Sequence, residues 1–311
     1  MEGTVIKNTG SWYIVRLNDT GEDIPCKVKG NFRIKGIRTT NPVAVGDVVD
    51  ILPNNDGTAF ITAIHQRRNY IIRRSSNLSK ESHIIAANLD CALLITSIKD
   101  PLTSTTFIDR FLATSEAYSV PTVIVINKCD TFDEDDMEYA KAVKHLYETI
   151  GYKVILASAL EGTGLYEIRA LLPHHTTLLS GNSGVGKSSL VNALLPGLNL
   201  RTASISTTHH TGMHTTTFSE MHELPGGGYI IDTPGIKGFG TIDFNPSEVA
   251  HYFKEIFAES AKCKYNNCTH THEPKCAVRQ AVEECRISQS RYASYLNILE
   301  SDNEEKYRKP F

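Results

Sequence analysis

The feature that most constrains this chain of 311 residues is Gly181-Asn182-Ser183-Gly184-Val185-Gly186-Lys187-Ser188. It fits G-x-x-x-x-G-K-S/T and lies between an apolar run, Thr177–Leu179, and a short helical pattern, Lys187–Leu195, ended by Pro196. Strand, glycine-rich loop and helix in that order form a phosphate cradle. The glycines let the backbone turn tightly, so that its N–H groups face the phosphates. Lys187 is placed to reach the β- and γ-phosphates and Ser188 to give its hydroxyl to Mg²⁺, and Ser189 is a further candidate nucleotide contact.

Three further elements complete a guanine-nucleotide site. Asp232-Thr233-Pro234-Gly235 follows the apolar run Tyr229–Ile231, so Asp232 is a candidate to hold Mg²⁺ through water and the Gly235 N–H to approach a γ-phosphate. Asn127-Lys128-Cys129-Asp130 closes the run Thr122–Ile126 and matches N-K-x-D. A carboxylate at Asp130 can accept from guanine N1–H and N2–H₂, whereas adenine would leave it unpaired. Asn127 would tie the loops together, and the Lys128 stem would pack over the base. Ala157-Ser158-Ala159, after Lys153–Leu156, is the second base element, with Ser158 and Ala159 near guanine O6. The base motifs precede the phosphate motifs, the reverse of the ordinary GTPase order. A parallel sheet gathers its strand ends on one edge whatever the chain order, so the spacing implies a circularly permuted GTPase domain.

The flanking segments differ in kind. Residues 1–68 contain short β-type runs (Thr4–Ile6, Trp12–Leu17, Pro25–Val28, Asp47–Leu52, Ala59–Ile64) separated by turn residues, which fits a small OB-type barrel. Residues 1–74 carry 11 basic and 7 acidic side chains, although the whole chain has net charge −3. Lys27, Lys29, Arg33, Lys35 and Arg38 are therefore the candidate RNA contacts, set against the plainer reading of a solvated face. Between 69 and 242, apolar runs alternate with helical patterns at 105–118, 136–149 and Leu165–Leu172, as in a doubly wound α/β sheet. From 243 to 311 helices are expected at Pro246–Glu259, 277–285 and 288–300. Within this last region, Cys263-x₄-Cys268-x-His270-x₅-Cys276 offers three thiolates and an imidazole. That donor set suits one closed, tetrahedral, structural Zn²⁺ site, with His272 competing with His270 as the fourth ligand.

With these residues in hand, the chain resembles the bacterial small-subunit-dependent ribosomal GTPase family (RsgA/YjeQ). The likeness covers nearly all of it: barrel, permuted GTPase with NKCD, ASA, GNSGVGKSS and DTPG, and the Cys/His domain. It implies His270 as the zinc ligand, GTP and GDP as nucleotides, and the small (30S) subunit and its rRNA as partners. It further implies a monomer that leaves the matured particle after ribosome-stimulated hydrolysis. The segment Thr211-Gly212-Met213-His214-Thr215-Thr216-Thr217 matches the family's first switch. By that resemblance Thr216, favoured over Thr215, completes the Mg²⁺ shell. Ile236 stands where many GTPases carry a water-orienting glutamine, and the resemblance assigns that role to His214, with an ordinary loop histidine as the plainer reading.

Composition narrows the alternatives. No apolar run reaches the ~18 residues of a membrane-spanning helix, and MEGTVIKNTGSWYIV does not read as an export signal. A reducing cytoplasm is therefore expected, with the seven cysteines as free thiols or metal ligands rather than disulfides. Two other functions compete with the leading one. A nucleotide-gated RNA-binding adaptor would hydrolyse GTP only incidentally, and a metabolic phosphotransferase would need a substrate domain that the sequence lacks. The linker from Ile236 to Asn245 is short enough for nucleotide state to reposition the C-terminal domain.

Overall fold

In the computed structural model, residues 1–28, 42–74, 82–195, 219–232 and 244–307 are described. Lys29, Arg33, Lys35, Arg38, His214, Thr216 and Gly235 lie outside them, as do the first-switch segment and most of the linker after Asp232. Among the described residues no helix is long and apolar enough to cross a membrane.

Five strands form the N-terminal barrel: β1 (Glu2–Asn8), β2 (Tyr13–Leu17), β3 (Asp23–Val28), β4 (Val48–Pro53) and β5 (Ala59–Ile64). They pair in the order β1-β2-β3-β5-β4, and β4 returns to β1, which closes the barrel. Only β3 and β5 run parallel. Period-2 alternation along β2 sends Tyr13, Val15 and Leu17 inward, where they meet Val5, Cys26, Val49, Ile51 and Ile61.

A hairpin of β6 (Tyr70–Arg74) and β7 (Ser82–Ala87) follows. Sequence reading missed it. The register shifts between Ile71 and Ile72, and both are buried, so the bulge breaks the alternation that would have marked a strand.

The central domain comprises β8 (Cys91–Thr96), α1 (Thr105–Ala117), β9 (Thr122–Ile126), α2 (Glu134–Thr149), β10 (Lys153–Leu156), α3 (Leu165–Arg169), β11 (Thr176–Ser180), α4 (Lys187–Leu194), β12 (Glu220–Glu223) and β13 (Tyr229–Asp232). Its strand order is β10-β9-β8-β11-β13-β12, parallel except for β12. Alternation along β8 divides its residues between two cores. Ala92 and Leu94 pack with Phe107, Phe111 and Val143 of α1 and α2; Leu93 and Ile95 pack with Ile168, Leu190 and Val191 of α3 and α4. Helices thus cover both faces, as the doubly wound expectation required. Helix α3 stops at Arg169, short of Leu172; beyond it the Leu171 and Leu172 N–H groups turn to the carbonyls three residues back, at Ile168 and Arg169, ahead of Pro173. Polar, four-residue β12 offers no period and went unrecognised.

β12 joins the barrel to this sheet. Lys7 pairs with Glu220, their side chains form an ion pair at 3.0 Å, and Arg16 meets Glu223 at 2.8 Å. Below them Ile6 and Val45 of the barrel share a core with Met221.

The C-terminal unit contains α5 (Lys254–Ser260), α6 (Ala277–Glu283) and α7 (Gln289–Tyr307). The single helix expected over Pro246–Glu259 is broken. A 3₁₀ turn, Val249–Tyr252, precedes α5, and Phe253 between them is extended (φ −115°, ψ 98°). Its fully buried ring packs edge-on against Tyr295 at 5.7 Å, so tertiary packing overrides helical propensity there. Helix α7 runs beyond the expected stop at 300. Ala113 of α1 belongs to the same core as Phe253, Ile256, Tyr295 and Ile298.

Arg291 of α7 crosses this boundary. Its guanidinium is fully buried and donates to Asp109 of α1 at 2.7 Å and to both oxygens of Glu255 at 2.6 and 3.1 Å. Asp109 also accepts from the Tyr147 hydroxyl of α2 at 2.8 Å. One polar node therefore ties α1, α2, α5 and α7 together.

Candidate functional site: a nucleotide edge and a Cys/His cluster

Because β8, β9, β10, β11 and β13 are parallel, their C-terminal ends share one edge. Asn127 follows β9, Ala157 follows β10, Gly181 follows β11, and Asp232 ends β13. The edge therefore carries Asn127-Lys128-Cys129-Asp130, Ala157-Ser158-Ala159, the phosphate loop and Asp232, the first residue of the fourth motif, in spite of their permuted order.

The loop after β11 wraps the N-terminus of α4. Gly181 (φ +148°) and Gly186 (φ +91°) adopt conformations that L side chains rarely take. A Cβ on Gly181 would lie 2.2 Å from the Ile95 carbonyl oxygen, and one on Gly186 would lie 2.4 Å from the Asn127 amide. Asn182 is half-buried, Ser183 and Gly184 are exposed, Val185 is fully buried, and Ser188 and Ser189 are half-buried on the first turn of α4. Lys187 is buried, and its ammonium donates to the carbonyls of Gly181 and Asn182, both at 2.7 Å. Burial lowers its pKa to about 8, while the Asp232 carboxylate opposes that shift. Asp232 is itself buried and pairs in register with Leu179 of β11.

Asn127 joins three loops. Its amide donates to the Val185 carbonyl at 2.9 Å and its carbonyl accepts from the Ala159 N–H at 3.3 Å. Ser158 is buried, and its hydroxyl accepts from the Glu161 N–H at 3.0 Å. The Cys129 N–H donates to the Ala157 carbonyl at 3.0 Å. Asp130 sits half-buried in a 3₁₀ turn, Cys129–Thr131. Lys128 has φ +70°, and its ammonium donates to the Asp100 carbonyl. The loop holding Asp100, between β8 and α1, carries no motif, and sequence reading did not assign it. Its Asp-Pro turn straight after a buried strand was the signal available.

A second cluster lies in the C-terminal unit. The Cys263, Cys268 and Cys276 sulfurs and a His270 ring nitrogen all fall within 4.8 Å of one another. His270 Nδ1 lies 3.6 Å from Cys263 Sγ and 3.4 Å from Cys276 Sγ. His272 is exposed and turned to the Thr271 hydroxyl at 2.8 Å, outside the cluster. Burial pushes the Cys268 thiol up to about 12 and lowers the His270 imidazole. Crowded thiols of this kind favour their protonated form unless a cation offsets the thiolate charge, and three sulfurs with one imidazole are the donors Zn²⁺ accepts. The group could therefore hold one zinc ion. Glu273 fastens the ligand loop. Burial would raise its carboxyl, but hydrogen bonds from the Thr269 hydroxyl and the N–H groups of Thr269 and Thr271 outweigh that and hold it at about 2. Tyr292 and Tyr295 of α7 donate to the carbonyls of His270 and Thr269 at 2.6 and 2.8 Å.

Of the candidate RNA contacts, Lys27 is described, with its ammonium 4.2 Å above the Trp12 ring. Cys26, Cys91, Cys129 and Cys285 are free thiols and lie outside the Cys/His cluster.

Comparison with known proteins agrees with this geometry. The family model described as RsgA GTPase matches residues 64–242, and that of the RsgA N-terminal domain matches residues 2–61. The small ribosomal subunit biogenesis GTPase RsgA of Phocaeicola vulgatus is 63% identical over 308 residues, covering 99% of each chain. That of Porphyromonas gingivalis is 57% identical, again over 99% of each. The crystal structure of YjeQ from Thermotoga maritima superposes with a TM-score of 0.77 at 34% identity, covering 99% of each chain. YloQ, described as a circularly permuted GTPase, gives 0.72 at 32% identity, covering 100% of this chain and 96% of its own. A permuted nucleotide edge, a closed five-stranded barrel before it and a Cys₃His unit after it, matched along the full length, make this chain a member of the RsgA GTPase family.

Proposed function

We propose that this protein is a GTP hydrolase that serves as a late maturation factor of the small ribosomal subunit. It would act as a cytoplasmic monomer built from units 1–68, 69–242 and 243–311. The observation that supports this best is the bridge made by Asn127, which locks the base-reading loop to the phosphate loop through Val185 and to the second base element through Ala159. The ribosomal role rests on the relatives' name.

In this reading Asp130 accepts from guanine, Ser158 and Ala159 flank its O6, and the backbone from Gly181 to Ser189 cradles the phosphates. Lys187 leaves the two carbonyls that now hold it and pairs with the β- and γ-phosphates. Ser188, Thr216 and Asp232 are the residues that would hold a magnesium ion, which would supply charge neutralisation at the phosphates. Gly235 offers its N–H to the γ-phosphate. His214 orients the attacking water in place of the glutamine that Ile236 cannot be. Cys263, Cys268, His270 and Cys276 would hold one zinc ion, which would fix the shape of the C-terminal loop, and the barrel, with Lys27, Lys29, Arg33, Lys35 and Arg38, would contact rRNA.

The test is GTP hydrolysis with and without purified 30S subunits, with 50S subunits as the control. Strong stimulation by 30S alone is expected. Binding of GTP without stimulation would turn the reading towards the RNA-binding adaptor. The variant His214→Ala should lose about 10²-fold of the stimulated turnover while binding GTP normally, and unchanged stimulated turnover would remove His214 from the mechanism. Metal analysis of the purified protein should give one zinc per chain, falling close to zero in Cys268→Ser. Full zinc retention in that variant would exclude the proposed ligand set.

A further inference from the structure

The loop between β8 and α1, residues 97–104, is internally braced. The Thr103 N–H donates to the Ser97 carbonyl at 2.8 Å, the Ser97 hydroxyl to the Lys99 carbonyl at 2.6 Å, and Ser104 caps α1 by accepting from the Phe107 N–H at 3.2 Å. Such a loop can serve as a fixed reference for whatever is attached to it. It meets the phosphate loop, because a Cβ built on Gly184 would lie 3.4 Å from Pro101. It also meets the base-reading segment at two points, through consecutive residues. The Asp100 carbonyl accepts from Lys128, and the Lys99 ammonium donates to Asp136 at 2.6 Å and Asp133 at 3.3 Å.

Those two carboxylates form the capping box of α2. Asp133 accepts from the Asp136 N–H at 2.9 Å and Asp136 accepts from the Asp133 N–H at 3.3 Å. Between Lys128 and Asp133 lies the short turn carrying Asp130. Lys99 and Asp100 therefore hold both ends of the segment that presents the base-reading carboxylate. The first turn of α2 adds Glu134 and Asp135 to the same acidic stretch. An ammonium here offsets like-charge repulsion that would otherwise push the turn outward.

We propose that Lys99 is a positioning residue for guanine recognition, setting the Asp130 carboxylate so that it can accept from both N1–H and N2–H₂. This rests on the assignment of Asp130 as the guanine acceptor. Lys99 touches no nucleotide in this arrangement; it acts through the Asp133–Asp136 box. The consequence is specific to the base. A carboxylate that drifts loses the second hydrogen bond first, so discrimination between guanine and hypoxanthine, which lacks the 2-amino group, should weaken more than phosphate binding does.

The experiment is equilibrium binding of GDP and of inosine diphosphate to the full-length protein and to Lys99→Met and Lys99→Arg. Melting temperature and ribosome-stimulated KM and kcat are measured in parallel. For Lys99→Met, GDP affinity should fall about fivefold, the upper end for an exposed ion pair acting in a network. The GDP-to-inosine-diphosphate preference should shrink about threefold, and KM should rise while kcat stays within about twofold. Lys99→Arg should restore the preference. An unchanged preference in Lys99→Met overturns the proposal, whether or not its melting temperature falls, because a purely structural lysine would weaken both nucleotides alike. Failure of the unaltered protein to bind GDP would instead overturn the reading of the site itself.

Discussion

Replacing Lys187 with alanine should lower ribosome-stimulated GTP hydrolysis by about 10²–10³-fold, the usual cost of removing one charge-stabilising donor from a phosphoryl-transfer site. The fold should survive, because among the described residues Lys187 hydrogen-bonds its own loop's carbonyls, at Gly181 and Asn182. Burial has already lowered its pKa to about 8, against the pull of Asp232. An incoming triphosphate favours the ammonium and raises that pKa again, so binding above pH 8 takes up a proton. Nucleotide affinity should therefore be flat below pH 8 and fall by about tenfold per unit above it. In Lys187→Ala that fall should vanish. Titration calorimetry in two buffers of different ionisation enthalpy reads the proton directly. Equal pH profiles for both proteins would mean that Lys187 is not the titrating group.

Arg291→Met should be the most destabilising single substitution among those considered, at about 3–5 kcal/mol. The guanidinium is fully buried, and its removal leaves Asp109 and Glu255 without their cation. Asp109 is ill prepared for that loss, since its second carboxylate oxygen is buried with no hydrogen-bond partner among the described residues. The phenolic donor Tyr147 would remain, but a neutral hydroxyl does not replace a charge. Adding Asp109→Asn and Glu255→Gln should recover most of the stability, because neutral amides no longer need the cation. Urea denaturation of the three proteins measures both effects. A loss under about 1 kcal/mol in Arg291→Met would mean that water enters the node readily.

Motifs that recruit backbone at strand ends were legible in the sequence, because their chemistry fixes both residue type and spacing. Asn127 was expected to tie loops together, and it does so through Val185 and Ala159. His270 lies in the cluster and His272 outside it, a choice that spacing alone left open. What escaped was held by tertiary contact. Phe253 breaks a helical pattern to reach Tyr295. β6 hides behind a bulge, and β12 is a short polar strand set between β13 and Lys7 of the barrel. The Arg291 node brings together residues 109, 147, 255 and 291, and no local rule connects such positions.

The strand order has a consequence for the chain while it is being made. Strand β8 is synthesised early, with β9 and β10 soon after, so three apolar parallel strands can assemble on one side. The other neighbour of β8 is β11, whose last residue comes 84 positions after Thr96. At about 5–20 residues per second that interval lasts roughly 4–17 s. Throughout it, Cys91–Thr96 presents an unpaired edge whose side chains are mostly destined for the core. Such an edge is a template for mispairing with another chain. Nucleotide offers no early protection, since the phosphate loop follows β11. A GTPase of the ordinary order makes its phosphate loop first; the permuted order defers it until after that edge has been synthesised.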